Sequence, residues 1–290
     1  MPDDALLFIL LSAVLHAGWN LILKTSRRKL AFNVFMRGSA IAIFSAWWIA
    51  RHGAIPLPRG PVLLFALGGG FFFSLYHLCL TAAYERIDVS LAYPLTTTGP
   101  LYIPLWAYLF LGERLSALGL AGILVVTLGA YILQVQEISW VGLSFPLRNL
   151  RLPGVLLALS AGVFYSVGAI VDKRGVTVVD VFLYTYYLDV VLFLFLLANV
   201  VLTSSRIHFL EEVRTHWARG LFAGLVLFAS FLMYRIGLQM AKVSYATSVR
   251  QASAIIGVLG GMLLFRERFG GIRLLGAALI AFGVICIKLG

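Results

Sequence analysis

The chain is a succession of apolar runs, each about 20 residues long and separated by short polar breaks. A helix needs about 20 mainly apolar residues to cross the hydrocarbon core of a bilayer. On that measure about ten segments qualify: 5–23, 31–50, 61–83, 89–111, 116–135, 153–172, 180–202, 218–239, 243–265 and 271–288. The separators are short stretches such as "KTSRRK", "ERID", "GERLS" and "RERFG", with two longer ones near 136–152 and 203–217. Runs of this length without strict alternation do not suit barrel strands. Composition agrees: 61% of residues are hydrophobic, 12% are charged and the mean hydropathy is +0.96. A soluble domain carries about 25% charged residues, so this chain lacks the polar surface to cover a water-soluble globule. The expected fold is all-α, a polytopic membrane protein with ten transmembrane helices.

The formal net charge is +11. Most Lys and Arg fall in clusters between the apolar runs, as in membrane-protein loops, and no long basic stripe tracks a phosphate backbone. Nucleic acid is therefore not an expected partner; the lipid bilayer is. Cys79 and Cys286 each lie inside an apolar run, with no CxxC pair or His/Cys cluster to suggest a metal. Gly68-Gly69-Gly70 opens into "FFFSLY" with no following Lys-Ser/Thr, so it is not a phosphate loop. No HExxH or Ser-His-Asp spacing is present. The reading is a non-enzyme without cofactor or metal. The N-terminal "MPDDALLFILLSAVLHAGWNLILK" starts with acids and has too long an apolar stretch for a cleavable signal; it reads as the first membrane helix.

The chain repeats itself. "VSLAYPLTTTGPLYIPLWAYLFLGERLSALGLAGILVVTLGAYI" aligns without a gap over "VSYATSVRQASAIIGVLGGMLLFRERFGGIRLLGAALIAFGVIC". Val89-Ser90 meets Val243-Ser244, Glu113-Arg114 meets Glu267-Arg268, Gly122 meets Gly276 and Gly129 meets Gly283. More weakly, "LSAVLHAGWNLILK" matches "LSAGVFYSVGAIVDK". The organisation is a first five-helix repeat over 1–136, a loop over 137–152 and a second five-helix repeat over 153–290. Five is odd, so the second repeat enters the membrane in the opposite sense. Inverted repeats of this kind are typical of secondary transporters, whose substrate site lies near the midplane between the halves.

These features resemble the drug/metabolite transporter superfamily of EamA type. The matching motifs are "WNLILK" closing the first helix, Arg37 in "VFMRGSAIAIF", and "YLFLGERLSALGLAGILVVTLGAYI" with its echo "LLFRERFGGIRLLGAALIAFGVIC". The resemblance implies a transporter of small metabolites, more often an exporter, working by alternating access in a bacterial-type inner (plasma) membrane. It also implies cytoplasmic termini, whereas the loop charges favour the opposite orientation. It fixes no substrate. "SVRQAS" and the segment between the fifth and sixth helices match no general feature of the family.

Polar residues inside the spans mark the candidate site, because an intramembrane ionisable group is expensive and usually functional. The fourth helix presents Tyr93, Thr96/Thr97, Pro100 and Pro104 on one face, and the ninth presents Thr247 and Arg250/Gln251. Thr96-Thr97 lies over Arg250-Gln251 in the repeat, so one wall carries charge and the other does not. The alternative for Arg250 is snorkelling to the interface. Pro94, Pro100 and Pro104 suggest a bent fourth helix. The third helix offers Tyr76 and His77, the eighth Tyr234 and Arg235, and the first His16, Trp19 and Asn20. Arg37 resembles a scaffold arginine of the family, which implies a tie to carbonyls or a carboxylate, and Asp189 is the only acid well inside an expected span, available to an arginine, to tyrosine hydroxyls or to a coupling proton.

The expected substrate-binding residues are therefore Arg250, Gln251, Arg235, His77, Tyr76, Tyr93, Thr97, Trp19 and His16. Basic groups outnumber acids among them. The expected partner is a small-molecule substrate with an anionic group, such as an amino acid, organic acid, phosphonate or phosphate ester. Proton exchange is one route for coupling, and a functional monomer is expected. The alternatives are a flippase for a lipid-linked sugar or amine, and a non-transporting membrane scaffold.

Overall fold

The computed structural model describes residues 1–26, 28–87, 92, 95–96, 98–134, 150–202, 206–265 and 271–290. Its helices are α1 (Asp3–Lys24), α2 (Lys29–His52), α3 (Pro61–Tyr84), α4 (Gly99–Leu111), α5 (Ala117–Gln134), α6 (Pro153–Val178), α7 (Val181–Leu202), α8 (Arg206–Met240), α9 (Val243–Arg250), α10 (Ser253–Phe265) and α11 (Gly271–Leu289). Ala92, Leu95 and Thr96 are helical as well, and no strand occurs among the described residues. Among the described residues eight spans are long and apolar enough to cross a membrane, α9 and α10 counting together, and the apolar helices α4 and α5 are shorter. The fold is all-α, with two inverted five-helix repeats.

Local sequence sets the helix ends. α1 has Asp3 and Asp4 in its first turn and Lys24 in its last, each charge opposing the pole of the helix dipole. Pro61 and Pro153 open α3 and α6, where a missing N–H costs nothing. Gly53 ends α2 at φ +81°, and Gly112 ends α4 at φ +67°; both are left-handed positions that a glycine adopts without strain.

Three sequence expectations change. α6 continues to Val178, so Asp172 lies inside a span and Asp189 is not the only intramembrane acid. The expected loop at 203–217 is helical from Arg206, with a break at His216 (φ −126°, ψ 29°). The fourth and ninth spans are each interrupted, where the sequence suggests one bent helix and one continuous one. α4 begins at Gly99 after a turn at Thr98, and α10 begins at Ser253 after a turn at Gln251-Ala252. Gly99 and Ser253 are the same position in the repeat. Prolines do not explain the break, because Val243–Phe265 contains none. Pro100 sits in the first turn of α4, where proline is tolerated.

Inversion is visible in how the repeats touch. A Cβ on Gly122 would lie 2.7 Å from Gly283 O, and one on Gly129 would lie 2.7 Å from Gly276 O. Conversely, a Cβ on Gly276 or Gly283 would lie 2.8 Å from Gly129 O or Gly122 O. Each glycine thus faces the repeat counterpart of its neighbour one heptad away. That is the reciprocal pattern a two-fold interface requires, here between α5 and α11 of one chain. Small residues let the two backbones approach this closely. Other contacts obey the same rule: α3 packs on α6 while α1 packs on α8, and α4 packs on α6 while α10 packs on α1. Large side chains such as Leu7, Leu11, Leu105, Leu109, Leu124 and Leu128 stay exposed, as expected of a surface whose solvent is lipid.

The shared "VS" and "ER" motifs are two halves of one contact. Gly112 turns the chain out of α4 and sets Glu113 at the start of α9. The Glu113 carboxylate accepts from Val243 N (2.6 Å), Ser244 N (3.4 Å) and Ser244 Oγ (3.0 Å). A carboxylate satisfying the first free N–H groups of a helix is a strong N-cap. Lys242 Nζ donates back to Arg114 O at 2.6 Å. Glu267 and the Val89-Ser90 pair, the counterparts, lie outside the described residues.

Candidate functional site

Three guanidinium groups surround one phenylalanine. The centroid of the Phe231 ring is 4.7 Å from Arg250 Cζ, 5.5 Å from Arg235 Cζ and 5.8 Å from Arg37 Cζ. Each separation is in the range where a cation is attracted to an aromatic face. The three arginines come from α9, α8 and α2, and all three are buried.

Two of the cations are neutralised. Arg37 Nη1 donates to Asp189 Oδ1 at 2.6 Å, and Arg235 Nε donates to Asp172 Oδ1 at 2.9 Å. Arg37 is thus tied to a carboxylate, one of the roles read from the sequence. Arg235, one of the expected substrate-binding residues, is paired here with Asp172 of α6. Its Nη1 nevertheless has no hydrogen-bond partner, nor do Arg37 Nε, Arg250 Nε and Asp189 Oδ2. Buried polar atoms are usually satisfied, so these point to a polar interior with spare hydrogen-bonding capacity.

Arg250 pairs with no carboxylate among the described residues. Its side chain lies over Phe231 and, at 4.3 Å, over the Tyr234 ring. Nη2 sits 3.1 Å from His16 Nδ1. The residue is 9% exposed, and its head is held inside the bundle by two rings and an imidazole. Three guanidiniums and two carboxylates leave one net positive charge here.

His16 and Trp19 meet edge to face at 4.9 Å, and both lie near Phe231 (6.2 and 6.4 Å). Of the expected set, Arg250, Arg235, His16 and Trp19 lie together around Phe231. Tyr76 and His77 belong to a second aromatic group: His77 lies 5.0 Å from Tyr76, whose ring is 5.6 Å from Tyr165. Gln251 forms the helix break, where its N–H donates to Ser248 O and its carbonyl accepts from Ala254 N–H. Tyr93 and Thr97 lie outside the described residues. Below the break in the fourth span, Thr98 Oγ1 donates to Leu95 O at 2.7 Å. A Cβ on Gly162 would fall 2.6 Å from that hydroxyl.

Asp172 closes the expected sixth span, and α6 carries it further inside a helix that continues to Val178. Phe231 escaped the sequence reading. Phe231 was hidden among many phenylalanines, yet Phe231, Tyr234 and Arg235 follow an i, i+3, i+4 spacing that places them on one face. Lys173, next to Asp172, serves the frame: its Nζ donates to Leu238 O (2.7 Å), Gln239 O (3.2 Å) and Ala241 O (2.9 Å). These are carbonyls at the end of α8, the negative pole of that helix.

The pattern of the EamA-like transporter family matches residues 4–135 and again residues 152–289. The chain belongs to the EamA-like transporter family. It is accordingly a multi-pass membrane transporter of the drug/metabolite transporter superfamily. The family match accounts for both repeats, and the cluster around Phe231 draws on helices of each. A solved crystal structure with 20% sequence identity shares the fold, with a TM-score of 0.74 over 100% of this chain and 98% of that one. No curated protein matches the chain.

Proposed function

We propose that this EamA-family transporter carries a small polar metabolite with an anionic group, by alternating access and in the direction of export. Arg250 carries the reading. It is a buried guanidinium whose charge no carboxylate balances among the described residues, and it lies directly before the break in the ninth span. Guanidinium planes bind carboxylate and phosphate oxygens in pairs, and transporters built from inverted repeats place substrate between the repeats. The aromatic rings of Phe231, Tyr234 and Trp19 would pack the body of the substrate. The protein would act as a monomer in the cell's inner membrane, because both halves of the site are in one chain.

The test is a thermal-shift panel on the purified protein, since a ligand that binds only the folded state raises its apparent stability. Amino acids, monocarboxylates, phosphonates and phosphate esters are compared with cationic amines and neutral sugars. Anionic solutes should stabilise, and the best of them should be taken up by proteoliposomes. Stabilisation by amines or sugars alone overturns the proposal.

A further inference from the structure

The contact between Arg250 Nη2 and His16 Nδ1, 3.1 Å long, fixes the state of the histidine. A guanidinium carries donors only and does not lose its proton in proteins, so Nδ1 must be the acceptor. His16 in this contact is neutral, with its proton on Nε2. A proton on Nδ1 would set two donors and two positive charges against each other.

The charged and titratable groups gathered with His16 around Phe231 come from several helices. α9 supplies Arg250. α8 supplies Tyr234 and Arg235, the latter paired with Asp172 of α6. α2 supplies Arg37, paired with Asp189 of α7. α10, which packs on α1, contains no titratable side chain. On α1 itself the neighbours are Trp19 and Asn20, whose Nδ2 donates to the His16 carbonyl at 2.7 Å. No carboxylate other than the two already paired is available among the described residues to balance a second positive charge, so a protonated His16 calls for an incoming anion.

We infer that His16 is a proton site coupled to anion binding at Arg250, so that one proton and one monovalent anion load together. The inference rests on the reading of Arg250 as the group that draws the anion. In the loading step an oxygen of the anion accepts the Nη2–H of Arg250, which breaks the hydrogen bond to Nδ1. Nδ1 then takes a proton from solution, and the new Nδ1–H donates to the anion. The proton adds one positive charge and the anion one negative charge, so the net charge of the interior is the same loaded or empty. Each ligand raises the affinity for the other, as linkage requires. The substrate class is thereby narrowed to monovalent anions, moved with a proton as a neutral pair.

Two measurements test this on the full chain. The first is nitrogen NMR of the histidine side chains, with the His16 signal assigned by its loss in His16→Gln. Wild-type protein without added anion should show the Nε2–H tautomer. Arg250→Met, which cannot donate, should lose that tautomer preference and shift the titration midpoint of His16. An Nδ1–H tautomer, or identical behaviour in Arg250→Met, overturns the inference.

The second measurement follows proton uptake with a pH-sensitive dye as each stabilising anion of the panel is added. About one proton per bound anion is expected from the single-site linkage, with none in His16→Gln. Anion binding without proton uptake overturns the coupling and leaves the transport reading intact. A panel in which nothing stabilises the protein defeats the transport reading, and the histidine tautomer still decides the coupling.

Discussion

Arg37 on α2 and Asp189 on α7 form an ion pair 2.6 Å long, with 4% and 2% of their side chains exposed. One partner comes from each repeat, so the bond joins the two halves beside the Arg250 cluster. Breaking a buried pair strands the remaining charge, at a cost of about 3–5 kcal/mol. Asp189→Leu alone should lower the unfolding temperature in detergent markedly. The double change Arg37→Met with Asp189→Leu should recover most of the loss, because no charge is then left unpaired. If the single and double variants are equally stable, the pair is not what holds this junction.

The α5–α11 crossing depends on glycine at four positions. Gly122→Ala and Gly276→Ala would each press a methyl group to within 2.9 Å of facing backbone. Each should destabilise by about 1–3 kcal/mol, the usual cost of overpacking. The two-fold relation predicts similar losses for both. A Cβ on Gly257 would meet nothing within 4 Å, so Gly257→Ala should be neutral or slightly stabilising, as expected from helix propensity. Thermal unfolding of the three variants side by side checks the ranking.

Glu113 caps α9 across the repeat boundary. Glu113→Ala should cost about 0.5–2 kcal/mol, the range for a lost N-cap. A sharper readout is amide hydrogen exchange at Val243 and Ser244, whose N–H groups the carboxylate holds. Both should lose protection in Glu113→Ala. Unchanged protection would assign the carboxylate no capping role.

Arg250 should be intolerant even of lysine. Arg250→Ala removes charge-assisted hydrogen bonds worth about 1.5–3 kcal/mol and should weaken binding of the stabilising anion about ten- to a hundredfold. Arg250→Lys keeps the charge but loses the planar group that stacks on Phe231 and Tyr234, so it should recover only part of the affinity. Affinities measured on variants with wild-type unfolding temperatures separate this from a folding defect. Equal affinity in all three proteins would remove Arg250 from the site.

Much of the fold was legible in the chain because a bilayer constrains it so strongly. Span length and hydropathy gave the helices, and the gapless echo of "VS", "ER" and the paired glycines gave the inverted repeats. What the echo could not give was partnership. Glu113 repeats as Glu267, yet only the assembled bundle pairs Glu113 with Val243-Ser244. Gly122 aligns with Gly276 but packs against Gly283, because inversion crosses the register.

The site was legible in its residue types and not in its pairings. Arg250 stood out because charge in an apolar helix is costly wherever it occurs. Arg235 stood out for the same reason, and only the fold brings Asp172 to it from another helix. Sequence by itself determined that basic and aromatic groups lie inside apolar runs of membrane-spanning length, since those runs are set by local hydropathy. Which cation keeps an unbalanced charge was decided by tertiary structure alone, because neutralisation depends on distance in space, and distance is set by how α2, α6, α7, α8 and α9 pack.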